Sequence, residues 1–463
     1  MPLSNAQTRD VESLLHPYTN LVKFRETGPL IIERGKGIRV YDERGKDYIE
    51  ALAGLWCTSL GWGEEALVEA AAEQMRKLAF GHLFAGKSHE PAVALAEKLK
   101  EVAPFPVGKV FFANSGSEAN DTQIKFYWYA NNARGRPARK KIVSRFKAYH
   151  GVTVAAASLT NLPANHASFD LPLDFARFAE CPHYYRSAGE GESEQEFSVR
   201  MAESLEALIG REGPENIAAM IVEPVQGAGG VILPPEGYFG ELAKVLDRHG
   251  IPLIDDEVIT GFGRTGNWFG CETYGFTPAS MTLAKALSSA YLPISAVLIA
   301  PELADAIEEE SGRIGTFGHG FTYTGHPVAA AVALKTIEIY QERDLVGHVR
   351  RVGTGFLARL KRLGDHALVG EAAGVGLIGA VELVANKASK TNFPSAKMVA
   401  ATICRFMEEE GVIARPMLGD RIALCPPLVI NEAEIDELFG RFERGLDKGL
   451  DWVWREGLMS GQT

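Results

Sequence analysis

The feature that most constrains the fold is a long alternation of short apolar segments with helical segments in the middle of the chain. Runs rich in β-branched and aromatic residues predict strands over 109–113, 141–144, 217–224, 251–254, 281–284 and 294–300. Between them, apolar residues recur at helical spacing, for example over 118–133, 197–209 and 238–249. Strands that are apolar throughout, and separated by helices, are typical of a mostly parallel sheet covered on both faces. The sequence therefore predicts an α/β fold.

The two ends of the chain have a different pattern from its centre. Short alternating runs precede residue 53, and the last 130 or so residues combine helical patterns with a few short strands. A chain of 463 residues is long enough for a large domain and a smaller one. We predict an N-terminal segment (1–59) packed on the small domain, a large α/β domain (60–328) and a C-terminal α+β domain (329–463). A polar, acidic stretch over 187–196 is predicted to be a surface loop.

Composition narrows the partners and the compartment. The net charge is −11 and no basic block is present, so nucleic acid and anionic membrane are not expected partners. Five scattered cysteines without a C-x-x-C pair predict free thiols and a cytoplasmic location. The first ten residues lack the apolar core of a signal peptide, and no run reaches the roughly 18 apolar residues of a membrane span. The histidines show no ligand spacing, so we predict no metal site.

Two groups of opposite charge follow predicted buried strands. Lys285 closes an apolar run, where an isolated lysine would more often extend its ammonium to solvent. About thirty residues earlier, Asp255 and Asp256 follow the strand 251–254, where they could simply cap a surface turn. Ligands of open α/β sheets bind at the carboxyl ends of the strands, and an acid buried there needs a cationic partner. A protonated ring nitrogen facing Asp256, with an imine from Lys285 to the same ring, would satisfy both groups.

A third motif suits a phosphate. Asn114-Ser-Gly-Ser-Glu-Ala-Asn-Asp121 follows the strand 109–113 and opens a helix. Small residues and hydroxyls at a helix N-terminus leave backbone N–H groups free at the positive end of the helix dipole. Because helix capping uses the same geometry, Ser117 could equally be an N-cap.

Further candidates lie after other strands. Tyr149 lies in a loop where it could stack on a planar ring or merely pack, and Val258 could close the opposite face of that ring. Glu223 ends the strand 217–224 and could bond ring substituents or hold Asp256 in place. The G-x-G-x-x-G at 261–266 resembles a dinucleotide-binding loop, but no amphipathic helix follows it. We interpret 261–266 as a glycine-rich loop, which leaves little support for a nicotinamide oxidoreductase.

Taken in order, these motifs resemble those of class III aminotransferases, the pyridoxal-5′-phosphate (PLP) enzymes of fold type I. The likeness is strongest to the branch of ω-amino acid or amine:pyruvate transaminases. It rests on Asp256-Glu-Val, Gly261-Phe-Gly-Arg264, Lys285 and the box at 114–121. The resemblance implies that Lys285 forms the Schiff base and that Asp256 is the partner of the pyridinium nitrogen. The other cofactor-binding residues it implies are Ser115, Gly116, Ser117, Tyr149, His150, Glu223 and Val258.

The same resemblance implies a shared active site. The segment 320–327 matches one that crosses a homodimer interface, where Thr322 would bind the phosphate of the neighbouring subunit. Tyr18 and Trp56 correspond to aromatic walls of the substrate pocket, Tyr149 also faces substrate, and Phe84 would come from the partner. Arg415 matches a mobile arginine that receives a substrate carboxylate. The expected assembly is a homodimer, or a tetramer built from it.

We therefore expect a PLP-dependent aminotransferase that moves an amino group from an amine or ω-amino acid to pyruvate. Other fold-type-I enzymes share the Lys285 and Asp256 pair, namely an aminomutase, a racemase or a decarboxylating transaminase. A regulator that keeps the fold without catalysis is a further alternative. The sequence does not distinguish long diamines, β-alanine, γ-aminobutyrate and aryl amines as donors.

Overall fold

A computed structural model describes residues 3–459. Three sheets form within this part of the chain, and their strands come from separate stretches of the sequence. The strands are β1 (Ile32–Lys36), β2 (Arg39–Asp42), β3 (Asp47–Glu50), β4 (Lys109–Ala113), β5 (Lys141–Arg145), β6 (Ala176–Ala179), β7 (Ile217–Val222), β8 (Leu253–Asp256), β9 (Ser280–Leu283), β10 (Ser295–Ile299), β11 (Val369–Val375), β12 (Ile378–Leu383), β13 (Val412–Ile413), β14 (Arg415–Met417) and β15 (Arg421–Leu424).

The central sheet has seven strands in the order β4-β10-β9-β8-β7-β5-β6. Strands β9, β8, β7, β5 and β6 pair in parallel, and only β10 runs against its neighbours. Every residue of β7, β8, β9 and β10 is buried, as expected for strands covered by helices on both faces. The predicted mostly parallel α/β sheet is confirmed.

Helices surround this sheet and build most of the rest of the molecule. They are α1 (Asn5–Ser13), α2 (Leu21–Thr27), α3 (Ala53–Trp56), α4 (Glu65–Lys77), α5 (Glu90–Val102), α6 (Gly116–Ala133), α7 (Val154–Leu159), α8 (Pro163–His166), α9 (Tyr184–Ser187), α10 (Glu194–Glu212), α11 (Tyr238–Arg248), α12 (Gly270–Tyr274), α13 (Pro301–Ile314), α14 (Pro327–Glu342), α15 (Leu345–Arg362), α16 (Val399–Glu409) and α17 (Glu432–Arg455). Among residues 3–459, none of these helices is both long and apolar enough to cross a membrane.

Two smaller four-stranded sheets lie outside the central one. The first joins β1, β2 and β3 to β13, so N-terminal strands pair with a C-terminal strand. The second is built from β11, β12, β15 and β14. This pairing supports the proposed packing of the segment 1–59 on the C-terminal domain. The domain bounds themselves stay a proposal.

Several element boundaries differ from the predicted ones. The strand predicted over 251–254 is β8, which begins two residues later and includes Asp255 and Asp256. The edge strand β6 was missed, because only its two end residues are buried. Residues 188–193 form the predicted polar loop, but Glu194 already begins α10, whose cap is Ser193.

The glycine-rich loop at 261–266 is a tight turn that no long helix follows. Arg264 within it is buried and donates to the backbone carbonyls of Leu377 and Pro426, at 3.0 and 2.6 Å. The loop therefore links the central region to the C-terminal one. Its interpretation as a dinucleotide-binding fingerprint has no structural support.

Candidate active site

A cavity of ≈ 460 Å³ opens at the carboxyl ends of the parallel strands. Loops after β4, β5, β8 and β9 meet there, which is where open α/β sheets bind their ligands. Its size lies within the range of small-molecule sites. The lining residues are Tyr18, Leu55, Trp56, Gly116, Ser117, Asn120, Tyr149, His150, Gly151, Leu162, Pro163, Ala164, Asn165, Ala228, Val258, Ile259, Ala284, Lys285, Arg415, Pro416, Met417 and Leu418.

Lys285 lines the cavity at the residue after Ala284, where β9 has ended and a short 3₁₀ turn begins. Its φ of 49° lies in the left-handed region, a strained conformation for a lysine. Burial lowers the pKa of its ammonium, although Cys57, Asp256 and Glu223 nearby favour the charged form. A lysine with a lowered pKa is more often neutral and nucleophilic at physiological pH.

Asp256 lies just behind the cavity wall and is not itself a lining residue. Its Oδ2 accepts hydrogen bonds from Asn120 Nδ2 and His150 Nδ1, both at 2.8 Å. Within the described part of the chain, its Oδ1 accepts one hydrogen bond, from the backbone N–H of Val258 at 3.2 Å. The carboxylate is thus fixed by two side chains that line the cavity, and it keeps acceptor capacity for a cationic group.

The two acids beside Asp256 in the sequence, Asp255 and Glu257, do not line the cavity. Asp255 is fully buried, and neither of its carboxylate oxygens has a partner in the described residues. Burial and the charge of Glu257 raise the pKa of Asp255 well above its usual value. Glu257 instead accepts from Thr260 Oγ1 and from the backbone N–H of Cys271. Asp256 is therefore the acid of this segment that bonds to the cavity wall.

Helix α6 begins at the cavity with Gly116 and Ser117. Ser115, not Ser117, is the N-cap, and its Oγ accepts the backbone N–H of Glu118 at 3.2 Å. The first N–H groups of a helix have no partner inside it, so those of Gly116 and Ser117 are available to an anion. A Cβ at position 116 would lie 3.2 Å from Val258 Cγ2, so glycine keeps this corner open.

Tyr149 and Val258 both line the cavity, where a flat ring could lie between them. Glu223 accepts the backbone N–H groups of Tyr149 and Gly227, at 3.0 and 2.9 Å. Its predicted alternative role of holding Asp256 is wrong, because the donors to Asp256 are Asn120 and His150. Glu223 instead fixes the loop that carries Tyr149.

The outer part of the cavity combines aromatic side chains with one guanidinium. Trp56 and Tyr18 line it, as does Arg415. Burial lowers the pKa of Arg415, and among the described residues the groups that act on it are the phenols of Tyr149 and Tyr18. No carboxylate of the described chain offsets its charge at this position. A guanidinium in this state suits a carboxylate supplied by a ligand.

Five of the predicted site residues are not among those that line the cavity. Ser115, Glu223 and Asp256 adjoin or bond to residues that do, whereas Phe84 and Thr322 belong to other segments. Phe84 is 46% exposed and packs beside Gly320, where an added Cβ would lie 3.1 Å from its ring. Thr322 is exposed in the turn that follows Gly320. Phe84 lines a second cavity of ≈ 770 Å³, and Thr322 lies in sequence between Gly320 and Thr324, which also line it.

Sequence reasoning missed some of the lining residues. Asn120 is one helical turn after Gly116, so helical spacing could have placed it on the same face. Asn165 donates to Tyr18 Oη at 2.6 Å, but it is an isolated residue without a motif. Ile259 directly follows Val258, and Met417 and Leu418 come two and three residues after Arg415. The sequence analysis identified these two segments but not these three residues.

The arrangement can hold a flat, anionic, nitrogen-containing ring. It offers a helix N-terminus for the anion, two side chains that could enclose the ring, an acid behind the wall and the amine of Lys285 in the lining. His150 Nε2 and Asn120 Oδ1, both on lining residues, have no partner in the described structure. These features fit the cofactor that the sequence resemblance implies.

Comparison with known proteins places this geometry among transaminases. The family described as Aminotransferase class-III matches residues 23–446. "Gamma aminobutyrate transaminase 1, mitochondrial" of Solanum lycopersicum is 48% identical over 95% of this chain and 86% of its own length. "Gamma-aminobutyrate transaminase 1, mitochondrial" of Oryza sativa subsp. japonica is 47% identical over 92% of this chain and 82% of its own. The ω-transaminase of Pseudomonas jessenii in complex with PMP has a TM-score of 0.96 at 51% identity, covering 97% of this chain and 99% of that one.

Proposed function

Because this chain belongs to the class III aminotransferases, which use PLP, we propose that it moves an amino group from an amine or ω-amino acid to pyruvate. The family and the cofactor are established by the match over 23–446 and by neighbours of about half-identical sequence. The acceptor, the donor class and the role of each residue are our proposal.

The residues that would hold PLP are those that meet at the helix N-terminus and behind it. The N–H groups of Gly116 and Ser117 would bind the phosphate, with Ser115 capping the helix. Tyr149 and Val258 would enclose the ring, and His150 would order Asp256 beside it. When bound, PLP supplies an electron-withdrawing ring that stabilises negative charge on the substrate carbon.

Asp256 and Lys285 would carry out the proton chemistry. The carboxylate of Asp256, held by two 2.8 Å hydrogen bonds, would keep a proton on the ring nitrogen. The amine of Lys285 would hold the cofactor covalently before substrate enters. After the substrate has displaced it, this amine would take a proton from the substrate carbon and return it to a neighbouring atom. Burial lowers the pKa of Lys285, so more of the amine is neutral and able to accept that proton.

The observation that carries the substrate assignment is the guanidinium of Arg415, which lies in the same cavity as Lys285 and has no carboxylate partner among residues 3–459. A donor or acceptor with a carboxylate would place that group on Arg415 while its amino or keto carbon faces Lys285. Pyruvate and ω-amino acids both have this pattern. A simple arylalkyl amine has no carboxylate and would rely on the aromatic walls instead.

A donor panel tests this proposal. With pyruvate as acceptor, we expect one molecule of alanine for each molecule of donor consumed, with the matching aldehyde or ketone as coproduct. An aminomutase or racemase would rearrange the donor without forming alanine, and a decarboxylating enzyme would release CO₂. Omitting pyruvate is the control. Donor consumption without alanine would overturn the proposed acceptor.

We also propose that the protein is a homodimer whose partner chain completes each site. Three aromatic side chains, Phe80, Phe84 and Tyr323, are exposed, and we propose that the surface that carries them is the interface. Phe84 and Thr322 of one chain would then approach the cavity of the other. Sedimentation at micromolar concentration should give about twice the chain mass of 50.3 kDa, or four times for a tetramer. A species with the mass of one chain would contradict this assembly.

For the compartment, we propose the cytoplasm. All five cysteines are free, which suits a reducing environment. The mitochondrial location in the names of the Solanum lycopersicum and Oryza sativa relatives is a property of those proteins.

A further inference from the structure

The wall of the cavity that carries Leu55 and Trp56 is a strained turn. Ala53, Gly54 and Trp56 all have positive φ values, of 49°, 69° and 65°, and two of these residues are not glycine. A side chain in this region of backbone space is unfavourable and persists only where its surroundings impose it. The turn leaves Leu55 about half exposed to the cavity and Trp56 almost fully buried.

Glu50 is the side chain that anchors this turn. It ends β3, and its Oε2 accepts the backbone N–H of Gly54. The amide of Leu55 bonds to Cys57 Sγ and that of Trp56 to the carbonyl of Leu52, so within this turn Gly54 is the residue whose amide bonds to Glu50.

The environment of Glu50 is costly for a charged group. The residue is 5% exposed, and none of the described lysines, arginines or histidines forms an ion pair with it. Burial raises its pKa to about 8. A buried acid without a counter-charge is retained where its acceptor capacity is needed, here for a backbone group that would otherwise be unsatisfied.

Glu50 also adjoins the second wall of the cavity. It pairs with Ile413 in the parallel ladder between β3 and β13, two residues before Arg415. The next residue, Ala51, donates to the carbonyl of Ile413 at 3.0 Å and accepts from Cys425 at 2.6 Å. These bonds to β13 and to Cys425 use the backbone and not the Glu50 side chain, so a substitution of that side chain leaves them in place and acts first on the aromatic wall.

From this geometry we propose that Glu50 is a positioning residue whose carboxyl group holds the Ala53–Trp56 turn in its strained form and so sets how bulky a donor the cavity accepts. Its kinetic consequence rests on the proposed transamination. Its structural consequence does not.

Hydrogen–deuterium exchange of the peptide over 50–58 tests the structural part without any substrate. In Glu50→Leu, which removes both acceptor oxygens, the Gly54 amide should exchange at least about tenfold faster. In Glu50→Gln, which keeps one oxygen, exchange should lie between the wild type and Glu50→Leu. Glu33→Gln is the matched control, because Glu33 is an exposed acid of β1.

Steady-state kinetics test the functional part. For a bulky arylalkyl amine, the KM of Glu50→Gln should rise about fivefold, while KM and kcat with alanine as donor each change by less than about twofold. A loss of stability alone would lower both activities in proportion. If Glu50→Leu does not fold, Glu50→Gln carries the test.

The outcomes separate the two proposals. Unchanged exchange at Gly54 in a folded Glu50 variant overturns the role of Glu50, whatever the enzyme turns over. Faster exchange in a protein whose wild type makes no alanine would support that role and contradict the proposed acceptor. Equal changes of KM for bulky and small donors would overturn the specificity part.

Discussion

Replacing Lys285 by alanine should abolish turnover and leave the purified protein without the yellow colour of a bound PLP imine. The amine of Lys285 lines the cavity, and Asp256 lies close enough to influence its pKa. Its loss removes both the covalent attachment and the proton-transfer group. A positioned proton-transfer group contributes about 10²–10⁴-fold by itself, so the combined loss should exceed about 10⁴-fold.

Absorbance spectra and alanine formation measure this effect in parallel. Lys36→Ala is a suitable control, because Lys36 is an exposed lysine of β1 that does not line the cavity. Thermal unfolding should show that Lys285→Ala remains folded. Activity of the variant within about tenfold of the wild type would refute the assignment of Lys285.

Replacing Arg415 by alanine should separate substrates with a carboxylate from those without one. For alanine, pyruvate and ω-amino acids, we expect kcat/KM to fall about 10²-fold, since truncating one partner of a buried charge pair costs about 2–5 kcal/mol. For a simple arylalkyl amine in the first half-reaction, the change should stay within about threefold.

Single-turnover measurements with each donor give this comparison directly, because the half-reactions are then separate. Arg415→Lys is informative beside it, since a lysine keeps the charge but lacks the planar fork that binds both carboxylate oxygens. Equal losses for the amine and for alanine would show that Arg415 does not bind the carboxylate.

Much of the central region could be predicted from the sequence, because its strands are buried on both faces and are therefore apolar throughout. Strand β7 is an example, with all six residues buried. Strand β6 could not be found in this way. Its position at the sheet edge leaves two of its four residues half-buried, so its apolar pattern is weak.

The candidate site likewise has a part that could be predicted from the sequence and a part that could not. Lys285, Asp256 and the box at 114–121 belong to local motifs, so their juxtaposition could be expected from the strand ends. The donors that fix Asp256 come from α6 and from the loop after β5, and only tertiary packing brings Asn120 and His150 to it. The anchoring of the Trp56 turn by Glu50 depends on a strained backbone that no sequence pattern records.

The most direct test of the account is the site of covalent attachment of PLP. Borohydride reduction of the wild-type protein loaded with PLP should make the attachment permanent, and peptide mass spectrometry should then find the added mass on Lys285. We predict one modified peptide per chain, the one that contains this lysine. Attachment to a different lysine, or no attachment in a protein that forms alanine, would contradict the central claim.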